Sequence, residues 1–191
     1  MTFGMLPISM SSWNENRKRR NQPRAPSPSV AEPRRPLLLA ALAFVRAARA
    51  CSGVQRISLL GSILTAKPIP RDVDVLVTID AAMDLTRLAR SGRRLMGQAQ
   101  NINLGADIFL ADTTGRYLGR ICHYRECHPR VLCHAQHCGQ RDHLNDDLHV
   151  VTLTQELIAL PPVELWPKVI RRISVPADVE EALLNKLDQN Q

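Results

Sequence analysis

The sequence predicts an α/β fold (α+β in some schemes): a small mixed β-sheet flanked by helices. Three observations lead there. Short apolar runs rich in Val, Ile and Leu, at 54–60, 73–79 and 106–110, have the length and composition of strands. Longer stretches, at 36–50 and 81–100, repeat apolar residues at helical spacing. The 191 residues, 45% hydrophobic but only 4% aromatic, suffice for one domain with an aliphatic core and are too few for two full-sized ones.

Residues 1–36 are rich in Pro, Ser, Asn and Arg without apolar periodicity, and read as a disordered basic tail. They hold seven Lys/Arg, among them Arg34 and Arg35, against two acidic residues, so most of the net charge of +7 lies there. Such a tail can contact nucleic acid non-specifically, and it says little about what the folded domain recognises. The apolar run Leu37–Val45 behind Arg34-Arg35, with Ala48-Arg49-Ala50 after it, has the outline of a secretory signal. Arg46 and Arg49 interrupt it, and it is too short to span a bilayer, so a domain helix over Pro36–Ala50 is the better reading.

The core is expected over 37–120. Val54–Leu60 forms a strand, Gly61-Ser62 and a short helical turn follow, and Pro68 and Pro70 lead into a second strand, Val73–Ile79. Ala81–Gln100 is a helix in which Gly92 is a candidate break, and Ala106–Leu110 is a third strand closed by the turn Asp112–Gly115. Residues 121–149 hold four of the five cysteines and all six histidines. From 150 on, the sequence predicts a short strand at His149–Leu153 and helices at Val163–Arg172 and Ala177–Leu187.

The chemistry is concentrated in Leu60-Gly61-Ser62, nine residues, then Asp72-Val73-Asp74-Val75. On a strand Asp72 and Asp74 share a face, with Cα atoms ~6.6 Å apart, while Val73 and Val75 enter the core. Two carboxylates so placed can converge on divalent cations, and magnesium favours carboxylate oxygen together with substrate phosphate. Gly61 allows close approach of backbone to a phosphate, and Ser62 offers an N–H and a hydroxyl. A third carboxylate, Asp107, lies within an apolar strand, where a charge requires a partner such as a metal or an acceptor hydroxyl.

This arrangement resembles the signature of the DNA polymerase beta-like nucleotidyltransferase superfamily: an apolar residue, Gly, Gly or Ser, a gap, then Asp, apolar, Asp or Glu, apolar, and a later third acid. Leu60, Gly61, Ser62, Asp72, Val73, Asp74, Val75 and Asp107 meet it in order, over roughly Leu37–Asp112, in the manner of the small single-domain members. The resemblance implies that Asp72 and Asp74 hold two magnesium ions against a nucleoside triphosphate, ATP or another. Asp107 would complete one metal site and help deprotonate the attacking hydroxyl, and Gly61 and Ser62 would hold the phosphates. The implied reaction moves a nucleoside monophosphate to an acceptor hydroxyl on a small molecule, a protein or RNA.

Cys122, Cys127, Cys133 and Cys138 form a compact Cys-x4-Cys-x5-Cys-x4-Cys series able to supply a tetrahedral structural zinc site, with His123, His128, His134 and His137 as substitutes. A set of reduced cysteines, some buried as small apolar residues, is the plainer alternative. The odd, clustered cysteines fit a reducing cytoplasm better than a disulfide framework. Cys51 reads as a core residue at a helix end, Asp146-Asp147 as turn residues, and Trp166 as a core anchor. Two rivals to the enzyme are expected: a catalytically inactive nucleic-acid-binding or regulatory module of the same fold, and a subunit paired with a helical protein in a toxin–antitoxin module.

Overall fold

The structure is a computed structural model that describes residues 34–123, 133 and 135–189. Its elements are α1 (Arg34–Ala48), β1 (Val54–Leu60), a 3-10 turn (Ser62–Leu64), β2 (Asp72–Ile79), α2 (Thr86–Gln100), β3 (Gly105–Asp112), β4 (Tyr117–Ile121), β5 (Leu144–Asn145), α3 (Gln155–Ala159), β6 (Val163–Trp166) and β7 (Ile170–Arg171). A last helical stretch runs through α4 (Ala177–Val179), π turns at Glu180–Leu184 and α5 (Asn185–Asp188). The strands form one seven-stranded mixed sheet in the order β5-β4-β3-β2-β1-β6-β7. Among the described residues only β2 and β3 run parallel, joined across α2 as a crossover requires, and the other pairs are antiparallel. The α/β reading therefore holds.

Each strand divides its side chains between two layers. Val73, Val75, Val77 and Ile79 of β2, with Ile57 and Leu59 of β1 and Ile108 and Leu110 of β3, form the main core. Against them pack Leu37, Leu38, Ala41, Phe44, Val45 and Ala48, one face of α1. The matching face of α2 is Leu88, Ala89, Leu95, Met96 and Ala99. Gly92 does not break α2: it is buried, and a Cβ there would lie 3.3 Å from Ile108 Cδ1, so the glycine allows helix and sheet to approach. The opposite face carries a smaller cluster of Leu60, Leu76, Phe109, Ala111 and Tyr117 under Ile158. Arg56 of β1 ties this cover down, donating to the carbonyls of Ile158 and Ala159 at the end of α3.

Several expectations are corrected. Val163–Arg172 is not a helix but the hairpin β6–β7, with β6 hydrogen-bonded to β1 in the main sheet. Pro167 cannot sit inside a helix, and buried Val163 and Leu165 recur at the strand period. His149–Leu153 holds no strand; the short strand is β5, and β4 was not foreseen. The first helix begins at Arg34 and ends at Ala48, so Arg34 and Arg35 belong to the folded domain rather than to the tail. Cys51 is buried behind α1 as expected, and Trp166 is half-buried at the core margin with the Arg49 guanidinium 5.8 Å from its ring centre. No helix among the described residues is long and apolar enough to cross a membrane.

Candidate active site

The site lies where the ends of three strands, β1, β2 and β3, meet on the sheet. Because β1 and β2 are antiparallel, the last residue of β1, Leu60, stands opposite Asp74 near the start of β2. Because β2 and β3 are parallel, Asp74 stands beside Asp107, and Asp72 beside Gly105. Alternation puts Asp72, Asp74 and Asp107 on the sheet face opposite the main core, where α3 covers only the apolar rows behind them.

Gly61 leaves the sheet with φ 76° and ψ −163°, a conformation closed in practice to other residues. A Cβ there would overlap the Asp74 carboxylate, lying 2.9 Å from its Cγ. The backbone of Gly61 therefore touches the acid directly. Ser62 then opens the 3-10 turn, which is closed by Leu64 N–H to Gly61 O at 3.2 Å and Thr65 N–H to Ser62 O at 3.1 Å. The Ser62 hydroxyl is buried without a hydrogen-bond partner among the described residues. Gly105 similarly leaves room beside Asp72, since its Cβ would lie 3.3 Å from Asp72 Cβ.

The carboxylates are electrostatically unequal. Burial, with added repulsion from Asp72 and Asp107, pushes Asp74 up to about 7. Burial works in the same direction on Asp107, but a hydrogen bond from His123 and the charges of Arg120 and His123 outweigh it and hold this acid below the ordinary range. His123 Nε2 lies 3.4 Å and an Arg120 guanidinium nitrogen 3.5 Å from Asp107 Oδ1. Arg120 is anchored in turn by Asp147, Nε to Oδ2 at 2.9 Å, and Asp147 is 1% exposed.

Asp112 plays no part here. It closes the far end of β3 and accepts from the backbone and side chains of Thr114 and Arg116, as a turn acid does. Asp146 and Asp147 do open a turn, their carbonyls accepting from Leu148 and Val150 N–H, and both are buried; the Asp146 carboxylate accepts from the backbone N–H of His137 at 3.0 Å. Arg120, His123 and Asp147 are the neighbours that the sequence did not announce. Arg120 faces Phe109 across the β3–β4 pair, and only that register brings it to Asp107.

Among the described residues, no group of three or more His, Cys, Asp or Glu is gathered closely enough to form a metal cluster. Asp72 and Asp74 nonetheless suit a cation by charge. Asp72 and Asp107 both stand close enough to Asp74 for their repulsion to weigh on it, the neutralising groups stand on the Asp107 side, and the Ser62 hydroxyl, without a hydrogen-bond partner among the described residues, adjoins the same turn. Of the cysteine series, Cys122 is buried after β4, Cys133 is half-buried, Cys138 is exposed, and Cys127 lies outside the described residues. No protein family, curated protein or solved structure matches the chain.

Proposed function

We propose that the chain is a magnesium-dependent nucleotidyltransferase that moves a nucleoside monophosphate from a nucleoside triphosphate to an acceptor hydroxyl. The observation that carries this reading is the row Asp72, Asp74 and Asp107 on one sheet face, with the Asp74 carboxylate set directly against Gly61. Asp72 and Asp74 would hold the cations, Asp74 giving up its proton as they bind. The Gly61 and Ser62 N–H groups and the Ser62 hydroxyl would bind phosphate oxygens. Asp107, kept ionised by His123 and Arg120, would receive the proton of the acceptor hydroxyl. Bound magnesium would supply Lewis acidity at the phosphate and charge for the departing pyrophosphate.

The test is incubation of the chain with each α-labelled nucleoside triphosphate, magnesium and cell extract. Magnesium-dependent pyrophosphate release with label in an acceptor is the expected result. No magnesium-dependent triphosphate binding and no label would overturn the reading. Triphosphate binding with no pyrophosphate release would identify the rival, a fold retained for binding without catalysis.

Structural zinc on Cys122, Cys127, Cys133 and Cys138, with a neighbouring histidine as substitute ligand, is a separate proposal. Protein purified without chelator should carry about one zinc per chain, and Cys127→Ser should lower both metal content and melting temperature. Zinc-free protein in that analysis removes the proposal.

A further inference from the structure

Arg34 is the first residue of α1, yet it is only 7% exposed, and its guanidinium is spent on two distant segments. It donates to the carbonyls of Ile63 at 2.9 Å, Thr65 at 3.2 Å and Lys67 at 2.7 Å, all in the loop leaving Gly61-Ser62. Its Nε and second terminal nitrogen both reach the Asp178 carboxylate in α4, at 2.5 and 3.1 Å. The hydrogen bond from Arg34 is the largest cause holding Asp178 below the ordinary carboxylate range, opposed by partial burial. A fork of five donors in fixed geometry suits three carbonyls and a carboxylate at once, and a lysine ammonium does not.

We infer that Arg34 is a positioning residue for the Gly61-Ser62 turn, fixing the loop behind it so that the Gly61 and Ser62 donors stay aimed at the triphosphate. The role rests on the reading under Proposed function. Gly61 has wide backbone freedom, so its conformation needs holding, and the turn's own bonds, Leu64 N–H to Gly61 O and Thr65 N–H and hydroxyl to Ser62 O, are few. Three carbonyls taken by one buried cation supply the missing restraint. Asp178 orients that cation, so the C-terminal helical stretch acts on the turn through Arg34.

Two measurements on Arg34→Lys and Asp178→Asn separate this role from plain stabilisation. Hydrogen exchange should speed up locally in peptides covering 61–67, while those covering 73–79 stay protected. In steady-state assays with magnesium–triphosphate, Arg34→Lys should raise KM about tenfold or more with a much smaller change in kcat, and Asp178→Asn should do so less. Unchanged exchange at 61–67 would overturn the inference, as would faster exchange with unchanged KM. Exchange is read without nucleotide, so a wild-type chain that binds no triphosphate would sink the transferase reading while exchange still decides whether Arg34 holds the turn.

Discussion

Asp74→Asn is expected to abolish magnesium-dependent nucleotide transfer while making the metal-free protein more stable above neutral pH. Loss of a charge that positions the metal should cost roughly a hundredfold or more in rate. The stability effect follows from the raised acid. Between the unfolded value near 3.8 and the folded value of about 7, the folded chain holds a proton that the unfolded chain has released. The stability contributed by the neutral carboxyl is therefore complete below about 4 and is lost as pH rises through 7. Asparagine carries no such penalty, so at pH 8 the variant should gain on the order of a kcal/mol or more, each worth about 2–4 °C in melting temperature. At pH 4 the two proteins should melt alike. Magnesium binding by the wild type should strengthen as pH rises through 7, because the cation displaces the Asp74 proton. Calorimetry at pH 4 and 8 with a transfer assay tests all of this, and full activity in the variant would end the assignment.

The second large effect is expected at Gly61. Alanine there meets a positive φ and the Asp74 carboxylate together, so either the turn unwinds or the acid moves. Either response separates the phosphate donors from the carboxylates, and magnesium–triphosphate affinity should fall at least about tenfold. Gly97→Ala is the control. Nothing lies within 4 Å of a Cβ at that half-buried helical position, and the change should leave affinity intact and stabilise α2 by about 1 kcal/mol. Equal affinities in the two variants would show that Gly61 has no part in the site.

The features that sequence reveals best are periodic or local. Asp72 and Asp74 fall on one face because a strand alternates, and Val73 to Ile79 advertise that strand. Asp107 stands out as a charge inside an apolar run, and the structure seats it beside Asp74. Arg120 and Asp147 gave no such signal. Their pairing depends on the register of β4, a five-residue strand, and on a segment 27 positions later. Arg34 is hidden for the opposite reason: beside Arg35 and Pro36 it has the local chemistry of a basic tail, and its partners are the carbonyls of Ile63, Thr65 and Lys67 and the carboxylate of Asp178, 144 residues away. The β6–β7 hairpin carries a local signal as well, since Pro167 contradicts a helix there.

The strand order has a bearing on how the chain comes to be folded during synthesis. β1 is flanked by β2, its near neighbour in sequence, and by β6, which follows about a hundred residues later. Until β6 leaves the ribosome, β1 presents one bare edge of hydrogen-bonding groups in the apolar segment Val54–Leu60, the kind of edge that recruits other chains. The carboxylate-bearing strands β2 and β3 can pair early, but the sheet that supports them is sealed only when the C-terminal segment arrives. Chaperone occupancy on nascent chains should therefore persist until that hairpin emerges, and chains ending before Val163 should aggregate rather than accumulate as a smaller domain.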